Sequence, residues 1–400
     1  MLLRQHPKLL LLSLAQALYW SCSIIGIALT GLVGQKLSPW PLLSTLPLTL
    51  LVVGNLVAIG QLARWMQRLG RARGLQCGAL FGIGAGLLAA YALAASSFVL
   101  FCLAMLLLGA YQASAGFYRF AALDGMEPAH KGSAAAWVLA GGIAAAAIAP
   151  SVAVHAASWM QTPLLGAYLA IAVLALLACI LLHGLPAASA SASKAAPLSG
   201  PALRAARQAL WRQPAVRLAI TITACGHGLM VLVMNATPLA MHGAGHALSA
   251  STHVIQWHVL GMFLPSLVAG RLVDRFGAQR LAWLGSALLV ASAAVALTGN
   301  GFAPFLASSL LLGAGWNGML LAGTTLLAQA CSPAEQPVAQ PLMEWANSGA
   351  AALMSFSCGV LVQTLGWQAI NIAMLLVLLL VVWRLWRAAN TGAKVATPQS

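Results

Sequence analysis

Long uncharged apolar runs recur along this chain from end to end. Twelve can be placed, at roughly 9–33, 42–63, 75–96, 98–120, 132–155, 164–183, 216–240, 252–271, 281–299, 303–329, 342–364 and 369–388. A helix of about 20 apolar residues crosses a bilayer core of about 30 Å, so nearly every run reaches from one side to the other. Composition agrees: 61% of the 400 residues are hydrophobic and only 6% charged, whereas a soluble domain carries about a quarter. The chain is read as an all-α polytopic membrane protein with twelve transmembrane helices.

A formal net charge of +15 invites a nucleic-acid reading. Locating the charges removes it. Basic residues cluster at Arg4/Lys8, Arg64 to Arg73, Lys194 to Arg217, Arg271 to Arg280 and Arg384 to Lys394, separated by even numbers of spans. With Arg119 and Lys131, every Lys and Arg except Lys36 falls on one side. That asymmetry marks the cytoplasm. It implies a multi-pass membrane protein with both termini on the cytoplasmic side, in contact with lipid and with no nucleic acid. Seven scattered cysteines lack any CxxC spacing and imply no disulfide framework. The basic, Leu-rich N-terminus reads as a retained first helix, since its apolar run is too long for a signal peptide.

Residues 184–215, opening with the Ala/Ser/Pro stretch from Gly184 to Pro201, have the composition of a cytoplasmic linker between six-helix halves at 1–183 and 216–400. The halves read as copies. Residues 63–73 align with 270–280 at an offset of 207, so that Arg64/Arg271, Arg68/Arg275, Gly70/Gly277 and Arg73/Arg280 coincide. Duplicated halves around a central pathway are the architecture of an alternating-access carrier. Gly270, Asp274, Arg275, Gly277 and Arg280 resemble the cytoplasmic gating-loop signature of the major facilitator superfamily, which implies that pseudo-symmetric fold over the whole chain. In the first copy Gln67 stands where the signature has an acid.

Asp124, Glu127, Asp274, Glu335 and Glu344 all fall in, or at the edge of, cytoplasmic loops, so coupling through a mid-membrane carboxylate is not expected. The polar residues that do enter the membrane concentrate in spans seven and eight. His227, Met230 and Met234 share one helix face, and His258 and Met262 another. If the two helices form an antiparallel hairpin turning near residue 246, Met230 lies level with Met262, and Met234 with His258. Thioethers and neutral imidazole suit a soft cation, above all Cu(I). Met241, His242, His246 and His253 sit at the outer mouth as possible accessory ligands. The offset sets Ser23, Ile27, Leu51 and Asn55 opposite the four central residues. The cluster is therefore confined to the second half, as a substrate site would be.

Met230xxxMet234 followed by His258xxxMet262, with their flanking residues, resembles the CcoA-like copper importers. The resemblance implies that these four residues bind copper and that the chain imports it, as Cu(I), for cytochrome c oxidase assembly. Copper would be the transported substrate, with no permanently bound cofactor, and a cytoplasmic or membrane acceptor would receive it. The oligomeric state is left open. The competing expectation is an importer of a flat aromatic solute such as riboflavin, a substrate of relatives of that branch. Tyr19, Trp20, Tyr111, Gln112, Gln256, Trp257, Trp316 and Asn317 could stack on and hydrogen-bond such a ring. A receptor or oxidase-assembly partner without flux is a further alternative. No carboxylate dyad, Ser/His/Asp grouping or nucleotide-binding glycine loop points to an enzyme.

Overall fold

The computed structural model of the chain describes residues 6–40, 43–186, 198 and 200–390. Arg4, Lys194 and Lys394, and most of the expected Ala/Ser/Pro linker, lie outside the described residues.

Every described element is helical. In chain order they are α1 (Pro7–Leu37), α2 (Leu46–Leu69), α3 (Arg71–Ala94), α4 (Phe98–Ala115), α5 (Tyr118–Leu123), α6 (Lys131–Ala157), α7 (Leu165–His183), α8 (Gly200–Arg212), α9 (Pro214–Gly243), α10 (Leu248–Phe263), α11 (Ser266–Phe276), α12 (Ala278–Ala296), α13 (Phe302–Ala330) and α14 (Gln336–Asn390). A 3-10 turn, Pro128–His130, precedes α6. Proline in the first turn of α1, α2 and α9 starts those helices where its missing N–H is not needed.

Among the described residues, ten helices are long and apolar enough to cross a membrane. Two differences account for the distance from twelve runs. The last two runs are joined in α14, which turns at Gly366 (φ 78°, ψ 174°) without an intervening loop. The run at 252–271 is broken between α10, with 16 residues, and α11, with 11. Pro265 sits at the break and cannot donate to the preceding turn. A third difference is α8, a helix within the region read as linker. Its Leu203, Ala206 and Leu210 recur at helical spacing between arginines.

The chain falls into two compact units, Met1–Ala122 with Gly141–Leu198, and Leu123–Ala140 with Ser199–Ser400. In the first, α2 packs on α4, α3 on α4 and α7, and α1 on α7. In the second, α9 packs on α14 and α13, α10 on α13, and α12 on α13 and α14.

The copies seen in the sequence share backbone geometry. Gly70 (φ 90°, ψ 158°) joins α2 to α3, and Gly277 (φ 87°, ψ 152°) joins α11 to α12. Only glycine adopts that positive φ without strain. The same economy governs helix contacts. A Cβ at Gly54 would meet the Leu106 carbonyl, and one at Gly109 the Leu51 carbonyl. In the second unit a Cβ at Gly261 would lie 2.8 Å from the Leu310 carbonyl, and one at Gly313 would lie 2.7 Å from that of His258. Small residues let α2 and α4, and likewise α10 and α13, bring their backbones together, the usual device where lipid gives no hydrophobic drive for helix association.

Large apolar side chains such as Val57, Val99, Leu353 and Val360 are exposed, the pattern of a lipid-facing surface. Trp40, Trp159 and Trp383 are exposed, as interface anchors would be. Trp367 differs, being buried with its Nε1 donating to the Ala296 carbonyl at 3.2 Å.

Candidate functional site

The polar residues of the second unit gather around α13, the helix with the most buried polar side chains. Trp316 is buried, and its Nε1 donates to His227 Nδ1 on α9 at 2.8 Å. That bond puts the proton of the neutral ring on Nε2. Phe263 of α10 meets the Trp316 ring edge-on at 6.1 Å. Indole, imidazole and phenyl thus form one aromatic group drawn from three helices.

Asn317 explains how the break in span eight is tolerated. In an unbroken helix the Ser266 amide would bond the Met262 carbonyl, four residues earlier. Here Asn317 Nδ2 donates to that carbonyl at 2.8 Å and to Ser266 Oγ at 2.6 Å. A side chain of α13 therefore satisfies the carbonyl that the break leaves open.

His258 is fully buried on α10, and its Nδ1 lies 2.8 Å from the Ser309 carbonyl of α13. A carbonyl only accepts, so Nδ1 carries the proton and Nε2 presents a lone pair. His258 Nε2 and Asn317 Oδ1 have no hydrogen-bond partner among the described residues. Two buried acceptors facing no donor are costly to leave unmade, about 1–3 kcal/mol each.

The remaining expected site residues are spread more widely. Met230 and Met262 are buried, whereas His227 and Met234 are half-buried. α9 and α10 touch each other only slightly, and each packs instead on α13. The hairpin register inferred from sequence is not the main packing relation of these helices. Met241 is buried, its sulfur accepting from Ser251 Oγ at 3.6 Å. His246 Nε2 is held by the Asn300 carbonyl at 2.7 Å, while His242 and His253 are exposed. No group of three or more His, Cys, Asp or Glu side chains is arranged for a metal ion among the described residues. Of the aromatic set, Trp316, Asn317, Tyr19 and Tyr111 are buried, with Tyr19 edge-on to Tyr111 at 5.4 Å. Gln256 and Trp257 are exposed on the face of α10 away from His258.

The loop signature makes its own contact. Asp274 accepts from the Ser133 amide through both oxygens, at 3.2 and 3.1 Å, in the first turn of α6 where amides lack helical partners. Close packing permits it: a Cβ at Gly270 would lie 2.7 Å from Ser133, and one at Gly132 would run into Val273. Burial raises the Asp274 pKa, and the Ser133 hydroxyl and the Ser133 and Gly132 amides oppose the rise. Lys131 Nζ reaches the Ala328 carbonyl at 3.3 Å. Arg271, Arg275 and Arg280 are exposed, with Arg275 over the Phe276 ring at 5.2 Å. Gln67, the counterpart of Asp274, is exposed instead.

Residues 223–399 match the profile of the Major Facilitator Superfamily. Across 373 residues the chain is 37% identical to the riboflavin transporter of Brucella anthropi, covering 91% of each. The chain belongs to the major facilitator superfamily. It is also 27% identical to an uncharacterised transporter of that type from Bacillus subtilis, over 90% of this chain and 87% of the relative. Among solved structures, a human organic anion transporter superposes with a TM-score of 0.80 at 14% identity, covering 94% of this chain and 98% of that one. The fucose:proton symporter of E. coli gives 0.75 at 11% identity, covering 95% and 98%. These distant structures share the fold. As a member of this superfamily, the protein is a multi-pass membrane transporter, in contact with lipid and acting on a small solute.

One expectation is overturned. The Met230, Met234, His258 and Met262 pattern led to a copper importer serving oxidase assembly, resembling the CcoA-like proteins. Identity over nine-tenths of both chains runs instead to a riboflavin transporter. A four-residue pattern in two helices carries less information than that full-length similarity, and methionine and histidine also serve as packing and hydrogen-bonding residues here.

Proposed function

We propose that this transporter imports a flat aromatic solute of the riboflavin class into a bacterial cell, across the cytoplasmic membrane and by alternating access. The 37% identity to the riboflavin transporter of Brucella anthropi over 91% of each chain carries the reading. The chemistry of the second unit supports it. Trp316, buried here against His227 and Phe263, is a ring that a solute could stack on once the pathway opens. His258 Nε2 and Asn317 Oδ1 supply acceptors for the imide N–H and ribityl hydroxyls of such a solute. Gly270, Asp274, Arg275, Gly277 and Arg280 form a cytoplasmic gating motif at the junction of α11 and α12, and the concentration of Lys and Arg on one side supports termini that face the cytoplasm.

The test is uptake of labelled riboflavin by a riboflavin-requiring strain that lacks its own importer. Cells expressing the protein accumulate label and grow on low riboflavin, and Trp316→Ala at equal membrane abundance lowers uptake about tenfold or more. Absence of riboflavin uptake by the abundant parent protein would sink the proposal.

A further inference from the structure

Helix α8 carries a cluster that solute transport does not use. It ends at Arg212, and α9, a membrane-crossing helix, begins at Pro214, so α8 sits at the membrane face by chain continuity. Leu210 is buried, Leu203, Ala206 and Arg207 are half-buried, and Arg204, Gln208, Trp211 and Arg212 are exposed. Between α8 and the first turns of α14 lies a cleft of about 340 Å³ lined by Arg207, Gln208, Trp211, Arg212 and Leu342.

The walls are fixed. Arg207 stacks on the Trp345 ring of α14 at 4.4 Å. Gln213, the residue joining α8 to α9, donates to Glu335 Oε1 at 3.0 Å, and the other Glu335 oxygen accepts from the Ser332 amide and hydroxyl. Those bonds depress the Glu335 pKa, the Ser332 amide most of all. Glu335 is thereby engaged elsewhere, and among the described residues no carboxylate lines the cleft.

We propose that this cleft binds the phosphate of an anionic phospholipid headgroup from the adjoining leaflet. Two guanidiniums and an amide supply donors of the geometry that grips phosphate. The half-exposed Trp211 indole is suited to headgroup depth. Leu342 supplies an apolar wall beside which an acyl chain can run. A soluble phosphate ester offers the same headgroup chemistry without the chain, and the lipid is favoured because the cleft lies beside the start of a membrane-crossing helix.

The experiment is native mass spectrometry of the full-length protein in detergent, with phosphatidylglycerol or phosphatidylcholine added at equal concentration. Phosphatidylglycerol is retained at least fivefold better. Arg207→Gln/Arg212→Gln removes that preference, about fivefold being expected for each basic residue near an anionic lipid. Arg207→Lys/Arg212→Lys keeps part of it. Arg212→Gln alone, at an exposed position, gives the same direction should the double variant fold poorly. Equal retention of both lipids, or an unchanged preference in the Arg212→Gln protein, overturns the proposal. So does displacement of phosphatidylglycerol by millimolar inorganic phosphate, which would assign the cleft to a soluble ligand.

Discussion

A neutral imidazole whose Nδ1 donates to a carbonyl offers its other nitrogen only as an acceptor, and His258 is held in that form by Ser309. His258→Phe keeps a planar aromatic ring and deletes both the Nε2 acceptor and the Nδ1 donor to Ser309. Riboflavin uptake is expected to show a KM raised about fivefold to tenfold, near 1–1.5 kcal/mol, with membrane abundance unchanged. Asp274 carries a prediction with a defined sign. Burial raises its pKa, so ionisation opposes the folded state. The stabilisation associated with the protonated form is complete below the ordinary carboxylate range, about pH 4, and fades as pH rises through the raised value. Asp274→Asn keeps an acceptor for the Ser133 amide and never ionises. Its melting temperature should equal or exceed the parent's at pH 7 and converge with it towards pH 4. Asp274→Ala loses the acceptor and should melt lower by the equivalent of about 1–2 kcal/mol.

At the scale of elements, the break in span eight and the support it receives form one device. Pro265 removes a donor, and Asn317 reaches across from α13 to the Met262 carbonyl and Ser266 hydroxyl. Asn317→Leu should lower stability by about 1–3 kcal/mol in thermal unfolding of the detergent-solubilised protein. Gly261→Val should act through the same pair of helices by a different cause, forcing apart backbones that admit no side chain, at about 1–3 kcal/mol. Sequence announced part of this. Pro265 and the Gly70/Gly277 pair are visible as letters, because proline chemistry and positive φ are properties of single residues. The role of α13 was not legible. Apolar periodicity states which runs cross the bilayer but not which run packs on which, and adjacency in sequence suggested that α9 and α10 face one another. The match of Met230 to Met262 and of Met234 to His258 was arithmetic on that assumption. Helix α8 went unseen because the Ala/Ser/Pro composition before it masked a short pattern around Leu203, Ala206 and Leu210.

For the whole molecule, the repeated apolar runs and the one-sided distribution of arginine made the membrane class, the duplication and the family readable from sequence. The solute was not. Substrate choice rests on a few side chains, and His258, Met262 and Trp316 each admit more than one chemistry. Topology remains open to direct measurement. Single cysteines at Ala334 and at Gly245, both exposed, in a background without other accessible thiols, should be labelled by impermeant reagents from opposite sides of the membrane, Ala334 from within.

Gly366 has a practical corollary. The last two spans turn on one glycine, and Trp367 is anchored at once to the Ala296 carbonyl. No peptide there is long enough to enter a protease cleft, accept a glycan or host an inserted epitope. A reporter or affinity handle for this face of the transporter belongs in the segment between α9 and α10, where Gly243, Ala244 and Gly245 lie exposed.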